Sequence, residues 1–160
     1  MNHRILIILS VLLIAGSVVA EDRSWKTGSF EYEGHPLLLR VPDGLIYDEL
    51  KEMYPQFISV THYLKEVKNN GLPESDYNES LYEFDEQIVG ALENAGAGIT
   101  VLVETFGGER TYYMYSKNDF PPELLEKELS KTFPEHQIEI NSKTDKEWSF
   151  IKQYANDWKF

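Results

Sequence analysis

The sequence predicts an α+β domain, with helices mainly on one face of an antiparallel sheet. Three observations predict this class. Apolar residues alternate with period two in several short segments, they recur at helical spacing in three others, and the two patterns interleave along the chain. Because no repeat or flexible linker interrupts them, we expect a single domain over residues 21–160.

The first twenty residues have the pattern of a secretory signal peptide. Arg4 precedes the apolar run Ile5–Ala15, and the small residues Val18 and Ala20 occupy the −3 and −1 positions of a cleavage site. We therefore expect cleavage after Ala20 and a secreted or periplasmic domain. The alternative is retention as an N-terminal anchor, although the apolar run is short for a membrane span.

The mature chain opens with a predicted β-hairpin. Phe30 and Tyr32 alternate with acidic residues, the turn falls at Gly34 to Pro36, and the return strand ends at Val41. The pattern over residues 45–54 is compatible with a short helix or an ordered loop, and the sequence leaves both open.

A strand and a long helix follow. In the predicted strand 57–64, alternation places Ile58, Val60, His62 and Leu64 on one side. Asp76 and Glu79 form a capping-box pattern at the start of the helix. The helix carries a single apolar stripe made by Tyr77, Leu81, Phe84, Ile88, Leu92 and Ala95.

Next comes a second predicted hairpin, from Ile99 to Tyr115, with Gly107-Gly108 as its two-residue turn. If the two strands pair without interruption from this two-residue turn, three pairs of residues lie opposite one another: Val101 with Met114, Leu102 with Tyr113, and Val103 with Tyr112.

The C-terminal third is predicted to contain a helix, a strand and a helix. Pro121 and Pro122 open the first helix, and Pro134 ends it. The apolar positions on these elements are Leu125, Leu129 and Phe133, then Ile138 and Ile140, then Trp148, Ile151, Ala155 and Trp158. Thr144 and Glu147 form the capping-box pattern that starts the last helix.

From residue 57 onwards the predicted order is βαββαβ, which is the order of a ferredoxin-like unit. The first hairpin and the last helix are additions to it. Right-handed crossovers place the two internal helices on one face. The other face must then meet water, the added hairpin, the last helix or a partner.

Charge narrows the choice of partners. Residues 1–20 contain one arginine and no acid, so their removal leaves 14 basic and 27 acidic side chains and a net charge of −13. Phosphate backbones and anionic membranes repel such a chain, so we expect no nucleic-acid or membrane role after cleavage. A cationic protein partner is electrostatically favoured, and a homo-oligomer is left open.

No catalytic or metal-binding motif is present. The chain has no cysteine, which excludes thiol catalysis and thiolate metal sites. His35, His62 and His136 lack metal-site spacing and are interpreted as unrelated structural histidines, so we expect no metal and no cofactor. Nucleophilic-serine and phosphate-loop motifs are also missing.

Two hypotheses about function remain. The first is a protein-binding or inhibitor-like module without catalysis. Its surface is predicted on the second hairpin at Leu102, Phe106, Tyr113 and Tyr115, unless the first hairpin or the last helix covers them. The second is a hydrolase that uses Glu104 and Glu109 as a carboxylate pair, in a groove between the first hairpin and the sheet.

Short motifs across the chain resemble known families. One set resembles the bacterial family called domain of unknown function 695; it comprises residues 30–34, Pro36, 39–41, 71–73, Glu83, Leu92, Thr105, Gly107, Arg110 and 113–115. Residues 145–148 and Tyr154 are similar to the end of the ribonuclease E inhibitor B family. The resemblance implies an α+β fold and, through the second family, an acidic protein-binding role, but no reaction.

Overall fold

The structure is a computed structural model, and it describes residues 23–159. The predicted signal peptide lies outside these residues. The strands are β1 (Trp25–Tyr32), β2 (His35–Pro42), β3 (Gln56–Tyr63), β4 (Gly98–Phe106), β5 (Glu109–Ser116) and β6 (Ile138–Thr144). The helices are α1 (Tyr47–Leu50), α2 (Ser75–Ser80), α3 (Tyr82–Asn94), α4 (Pro122–Thr132) and α5 (Ser149–Trp158).

The six strands form one antiparallel sheet in the order β1-β2-β4-β5-β3-β6. The predicted α+β class and the antiparallel sheet are confirmed. The N-terminal hairpin extends the sheet through the pairing of β2 with β4.

Each face of the sheet carries its own hydrophobic core. On one face, α3 and α4 pack on the sheet through residues that include Phe84, Ile88 and Leu129. On the other, Trp148 and Ile151 cover the sheet together with partly buried residues of α1 and α5. We call these the α3 face and the α5 face. The last helix therefore covers the face that the βαββαβ pattern left open.

The first hairpin turns earlier than predicted. Tyr32 pairs with His35, and the turn residues Glu33 and Gly34 both have positive φ, at 51° and 78°. Such a pair forms the tight turn that matches strand twist. Pro36, predicted to lie in the turn, belongs to β2.

Two predictions about the middle of the chain have clear outcomes. β3 has the predicted faces, since Ile58 and Val60 are buried on the α3 face and Phe57 on the α5 face. The segment 45–54 contains a single helical turn, α1, whose Tyr47 and Leu50 pack on the α5 face.

The predicted long helix is broken into α2 and α3 at Leu81. Just before the break, the Ser80 hydroxyl donates to the Tyr77 carbonyl at 2.7 Å and so competes for a backbone acceptor. The N-cap residue of α2 is Glu74, so the Asp76 capping box is wrong. The core positions Leu81, Phe84, Ile88 and Leu92 are buried as predicted, whereas Ala95 is exposed.

A β-bulge at Val101 changes the register of the second hairpin. Leu102 pairs with Tyr113 as predicted, but Thr100, not Val101, lies opposite Met114. The extra residue turns Val101 to the α5 face beside Leu102. Local spacing cannot reveal this bulge.

The last two helices differ in how well the sequence predicted them. α4 begins and ends where the prolines predicted, with Leu125, Leu129 and Phe133 buried. α5 is capped by Asp145, whose carboxylate accepts the backbone N–H groups of Ser149 and Phe150 at 2.9 and 3.0 Å. The capping box predicted at Thr144 is wrong because β6 runs through Thr144.

Within residues 23–159, the helices are all too short or too polar to span a bilayer.

Candidate binding site

A cleft of about 430 Å³ opens on the α5 face between the N-terminal hairpin, the end of β4 and the end of α5. We call it the aromatic cleft. Its lining residues are Tyr32, Leu37, Glu104, Phe106, Tyr154, Asp157 and Trp158. The volume lies within the usual range for small-ligand sites.

Strand and helix periodicity bring these residues together. On β4, Leu102, Glu104 and Phe106 alternate onto the α5 face, from the buried core at Leu102 outwards to the rim of the cleft. On α5, Tyr154 and Trp158 are four residues apart and therefore share one side of the helix.

Aromatic rings form the walls of the aromatic cleft. The Tyr32 ring makes edge contacts with Phe106 and Trp158 at centroid distances of 5.4 and 5.9 Å, and the Trp158 ring lies 6.2 Å from Tyr154. Leu37, only 2% exposed, contributes to the lining. The rings hold one another in place, so the cleft is formed without a ligand.

The carboxylate of Glu104 is the main polar group of the aromatic cleft. It accepts a hydrogen bond from the Tyr154 hydroxyl and interacts with the Tyr113 hydroxyl. Burial raises the pKa of Glu104 above its usual value, although both tyrosines act to lower it. Burial also raises the pKa values of Tyr113 and Tyr154, so both remain protonated donors at neutral pH.

No cation within residues 23–159 pairs with Glu104. The ion pairs of this part of the chain involve other acids, such as Glu93, Asp43 and Asp85. A half-buried carboxylate whose burial disfavours its charge, without a cation beside it, is an unusual arrangement in a folded protein.

The predicted binding face is only partly exposed. Leu102 and Tyr115 are 0% exposed beneath α5, where Tyr115 stacks on Trp148 at 4.1 Å. The expectation that they form a surface is therefore wrong, because the last helix covers them. Phe106 and Tyr113 are half-buried and lie in or beside the aromatic cleft, so their role in binding stays a prediction.

The predicted carboxylate pair is not assembled in the aromatic cleft. Glu104 lines the cleft, but Glu109 is exposed and is not among its lining residues. The second acid of the cleft is Asp157 on α5, which the sequence did not single out. The apolar spacing of Trp148, Ile151, Ala155 and Trp158 predicted this helix, but it did not place Tyr154 or Asp157 in a binding site.

Two of the histidines touch, contrary to the interpretation as unrelated residues. Nδ1 of His136 lies 3.0 Å from Nε2 of His62, and both rings pack on Phe84. Nε2 of His136 lies 3.2 Å from Glu135. Because Nε2–H of His136 then donates to Glu135, Nε2–H of His62 donates to His136, and Nδ1 of His62 finds no partner within residues 23–159. Across the same residues no cluster of three or more acidic or histidine side chains is placed to hold a metal ion.

The fold and the aromatic cleft define a small α+β domain with a preformed, ligand-sized site. A family model described as a family of unknown function, DUF695, matches residues 23–155. The chain belongs to this family. No curated protein and no solved structure matches it.

Proposed function

We propose that this domain is a binding module whose aromatic cleft receives a cationic side chain, lysine or arginine, of a protein partner. The single observation that carries the proposal is the half-buried Glu104 carboxylate, surrounded by aromatic rings and without a cation of its own within the described residues.

Three physical features favour a cation over other ligands. The faces of aromatic rings attract ammonium and guanidinium groups, more strongly when water is excluded. A carboxylate with two tyrosine donors still has lone pairs to accept further N–H groups. The net charge of −12 attracts cationic partners from a distance.

Titration with blocked amino acids tests the proposal. We expect N-acetyl-lysine methylamide and its arginine analogue to bind saturably and to change tryptophan fluorescence, because Trp158 lines the aromatic cleft. The norleucine analogue has nearly the same shape without the charge and should bind at least about tenfold more weakly.

Two variants with the same change of charge provide the control. Glu104→Gln should abolish the preference for lysine over norleucine. Glu109→Gln, on the same hairpin but outside the aromatic cleft, should retain it. Equal binding of the charged and neutral analogues, or equal losses in both variants, would contradict the proposal.

A hydrolase that uses Glu104 with Asp157, instead of Glu109, is a second candidate function. The raised pKa of Glu104 is the property of a general acid, and Asp157 is a second carboxylate in the same cleft. Turnover of any substrate that disappears in both Glu104→Gln and Asp157→Asn would favour this function over binding alone.

We also propose export after cleavage behind Ala20, which the N-terminal pattern supports. Mass spectrometry of the protein purified from its native source should find a chain that begins at Glu21, and an intact Met1 would contradict cleavage. We further propose a ferredoxin-like relationship for residues 56–144, supported by the strand order β4-β5-β3-β6 within the sheet.

A further inference from the structure

A second cleft, of about 750 Å³, opens on the α3 face of the same sheet. Leu38 and Arg40 of β2 line it, whereas their neighbours Leu37 and Leu39 belong to the core of the α5 face. We call it the arginine cleft. Alternation along β2 thus places the two clefts on opposite faces of one strand.

Two arginines share one carboxylate in the arginine cleft. Nη2 of Arg40 donates to both carboxylate oxygens of Asp85 at 2.7 and 2.6 Å, and Nη1 of Arg110 donates to Oδ1 at 3.3 Å. The Tyr112 hydroxyl also donates to Oδ1, at 2.8 Å. Asp85 is therefore occupied by three neighbours and cannot neutralise both guanidinium groups.

The lining of the arginine cleft carries an excess of positive charge. Arg40, Arg110 and Lys68 face only two acids, Asp85 and Glu79. Within residues 23–159, Nε and Nη1 of Arg40 donate to no protein atom, and its side chain remains 37% exposed. A cationic concavity in a chain with net charge −12 is a local departure from its overall composition.

Both arginines are held in position before any ligand arrives. The Arg40 guanidinium lies 5.8 Å from the centroid of the Trp25 ring. Arg110 donates through Nε to Thr105 at 3.1 Å and through Nη2 to Asn78 at 2.6 Å. Fixed donors reduce the entropy lost on binding.

The loop at the rim of the arginine cleft is also fixed. Lys68 and Leu72, which line the cleft, pair through a backbone hydrogen bond of 2.8 Å. Gly108 donates its N–H to the Gly71 carbonyl at 2.8 Å. Gly71 has φ of 83°, and a Cβ there would lie 2.9 Å from the Cα of Gly107, so only glycine permits this approach.

We propose that the arginine cleft binds a small organic oxyanion, a carboxylate or phosphate carried on an apolar body. The free N–H groups of Arg40, with Arg110 beside them, bind the oxyanion, since guanidinium groups match the geometry of both anions. Leu38, Leu72 and Leu81 provide the apolar surface for the body.

Calorimetric titration of the full chain at constant ionic strength tests this site. The probes are phenyl phosphate and benzoate, with benzyl alcohol as the neutral analogue. We expect saturable binding of at least one anion and none of the alcohol, and the ratio of the two anion affinities identifies the preferred head group. Arg40→Gln should weaken anion binding by about tenfold, because a charge-assisted hydrogen bond is lost.

Lys26→Gln is the matched control. Lys26 lies on β1, pairs with Asp43 and is not among the residues of the arginine cleft, so anion affinity should be unchanged. Lys68→Gln, at the rim, leaves the Asp85 network intact and should weaken binding by about threefold even if Arg40→Gln fails to fold. Binding of the alcohol as tight as that of the anions, absence of saturable anion binding, or an equal loss in Lys26→Gln would overturn the proposal.

Discussion

Folding opposes the protonation of His62, a buried residue. Its side chain is 0% exposed, and burial lowers its pKa to about 4, with the charges of His136, Arg110 and Lys65 acting in the same direction. Burial also lowers the pKa of His136. The folded state therefore binds protons at this pair less readily than the unfolded chain.

This pair predicts a loss of stability in mild acid. The folded-state pKa of His62 lies below the unfolded value of 6.5. The stability that depends on neutral His62 is therefore fully present above pH 6.5, and it is lost as the pH falls towards 4 because the unfolded chain takes up the proton more readily. Urea unfolding across this range should show a fall of up to about 3 kcal/mol in the free energy of unfolding. His62→Gln should reduce the fall, whereas His35→Gln, at the exposed first residue of β2, should not. An identical fall in both variants would contradict this role.

The Glu104 carboxylate, which the proposed binding site needs, is predicted to lower the stability of the folded domain. Burial raises the pKa of Glu104, so keeping it charged at neutral pH costs folding free energy. Glu104→Gln should raise the free energy of unfolding at pH 7, and the gain should shrink as the pH falls and the native carboxyl is protonated. Thermal unfolding at two pH values measures this difference. A clear loss of stability at pH 7 would mean that the carboxylate has a structural role.

The helix α5 covers one face of the sheet and so completes the second hydrophobic core. Trp148 fixes this helix in three ways: its ring stacks on Tyr115, its Nε1–H donates to the Tyr54 carbonyl at 2.7 Å, and its backbone adopts φ of 55° to start the helix. The same helix supplies Tyr154, Asp157 and Trp158 to the aromatic cleft. Its position therefore controls the shape of the site.

Asp145 is predicted to be the side chain on which the start of α5 depends. Its carboxylate accepts two backbone N–H groups and the Tyr115 hydroxyl. Burial acts to raise its pKa, but these hydrogen bonds outweigh burial and hold the pKa below its usual value. Asp145→Ala should lower the free energy of unfolding by about 2 kcal/mol. Thr144→Ala, at the neighbouring exposed position, should change it by less than about 0.5 kcal/mol. Equal effects in denaturant unfolding would show that Asp145 is not the cap.

The sequence predicted the elements that depend on local periodicity. Alternation on β3 and helical spacing on α4 gave the correct faces, because each pattern reflects burial of one side. The Val101 bulge depends on pairing between strands. The break at Leu81 and the Asp145 cap involve side-chain hydrogen bonds to nearby backbone groups, which apolar spacing does not reveal. The aromatic cleft joins Glu104 to Tyr154, and the arginine cleft joins Arg40 to Asp85, across 50 and 45 residues. Only Phe106 of the aromatic cleft was predicted as a binding residue, and Glu104 was predicted in another role.

For the whole molecule, charge and shape favour opposite ligands on the two faces. The α5 face offers an acid among aromatic rings, and the α3 face offers guanidinium groups above apolar residues. A partner that occupied both clefts would need a cationic group for the aromatic cleft and an anionic group for the arginine cleft. The proposed binding roles rest on this arrangement rather than on net charge alone.

The net charge predicts that binding at the aromatic cleft depends on salt. Salt screens the field of the acidic chain beyond about 10 Å at 0.1 M ionic strength. The dissociation constant of the lysine analogue should rise several-fold between about 20 mM and about 500 mM NaCl, because screening weakens attraction to the acidic surface. Binding of the norleucine analogue should respond little. A constant affinity for the lysine analogue would exclude an electrostatic contribution.

A nuclear magnetic resonance titration of the isotope-labelled chain with N-acetyl-lysine methylamide tests whether the aromatic cleft binds a cation. We predict saturable shifts in the Trp158 indole N–H and in the backbone amides around Glu104, which vanish in Glu104→Gln and persist in Glu109→Gln. Shifts that do not saturate, or that occur away from the aromatic cleft, would show that the cleft is not a site for cations.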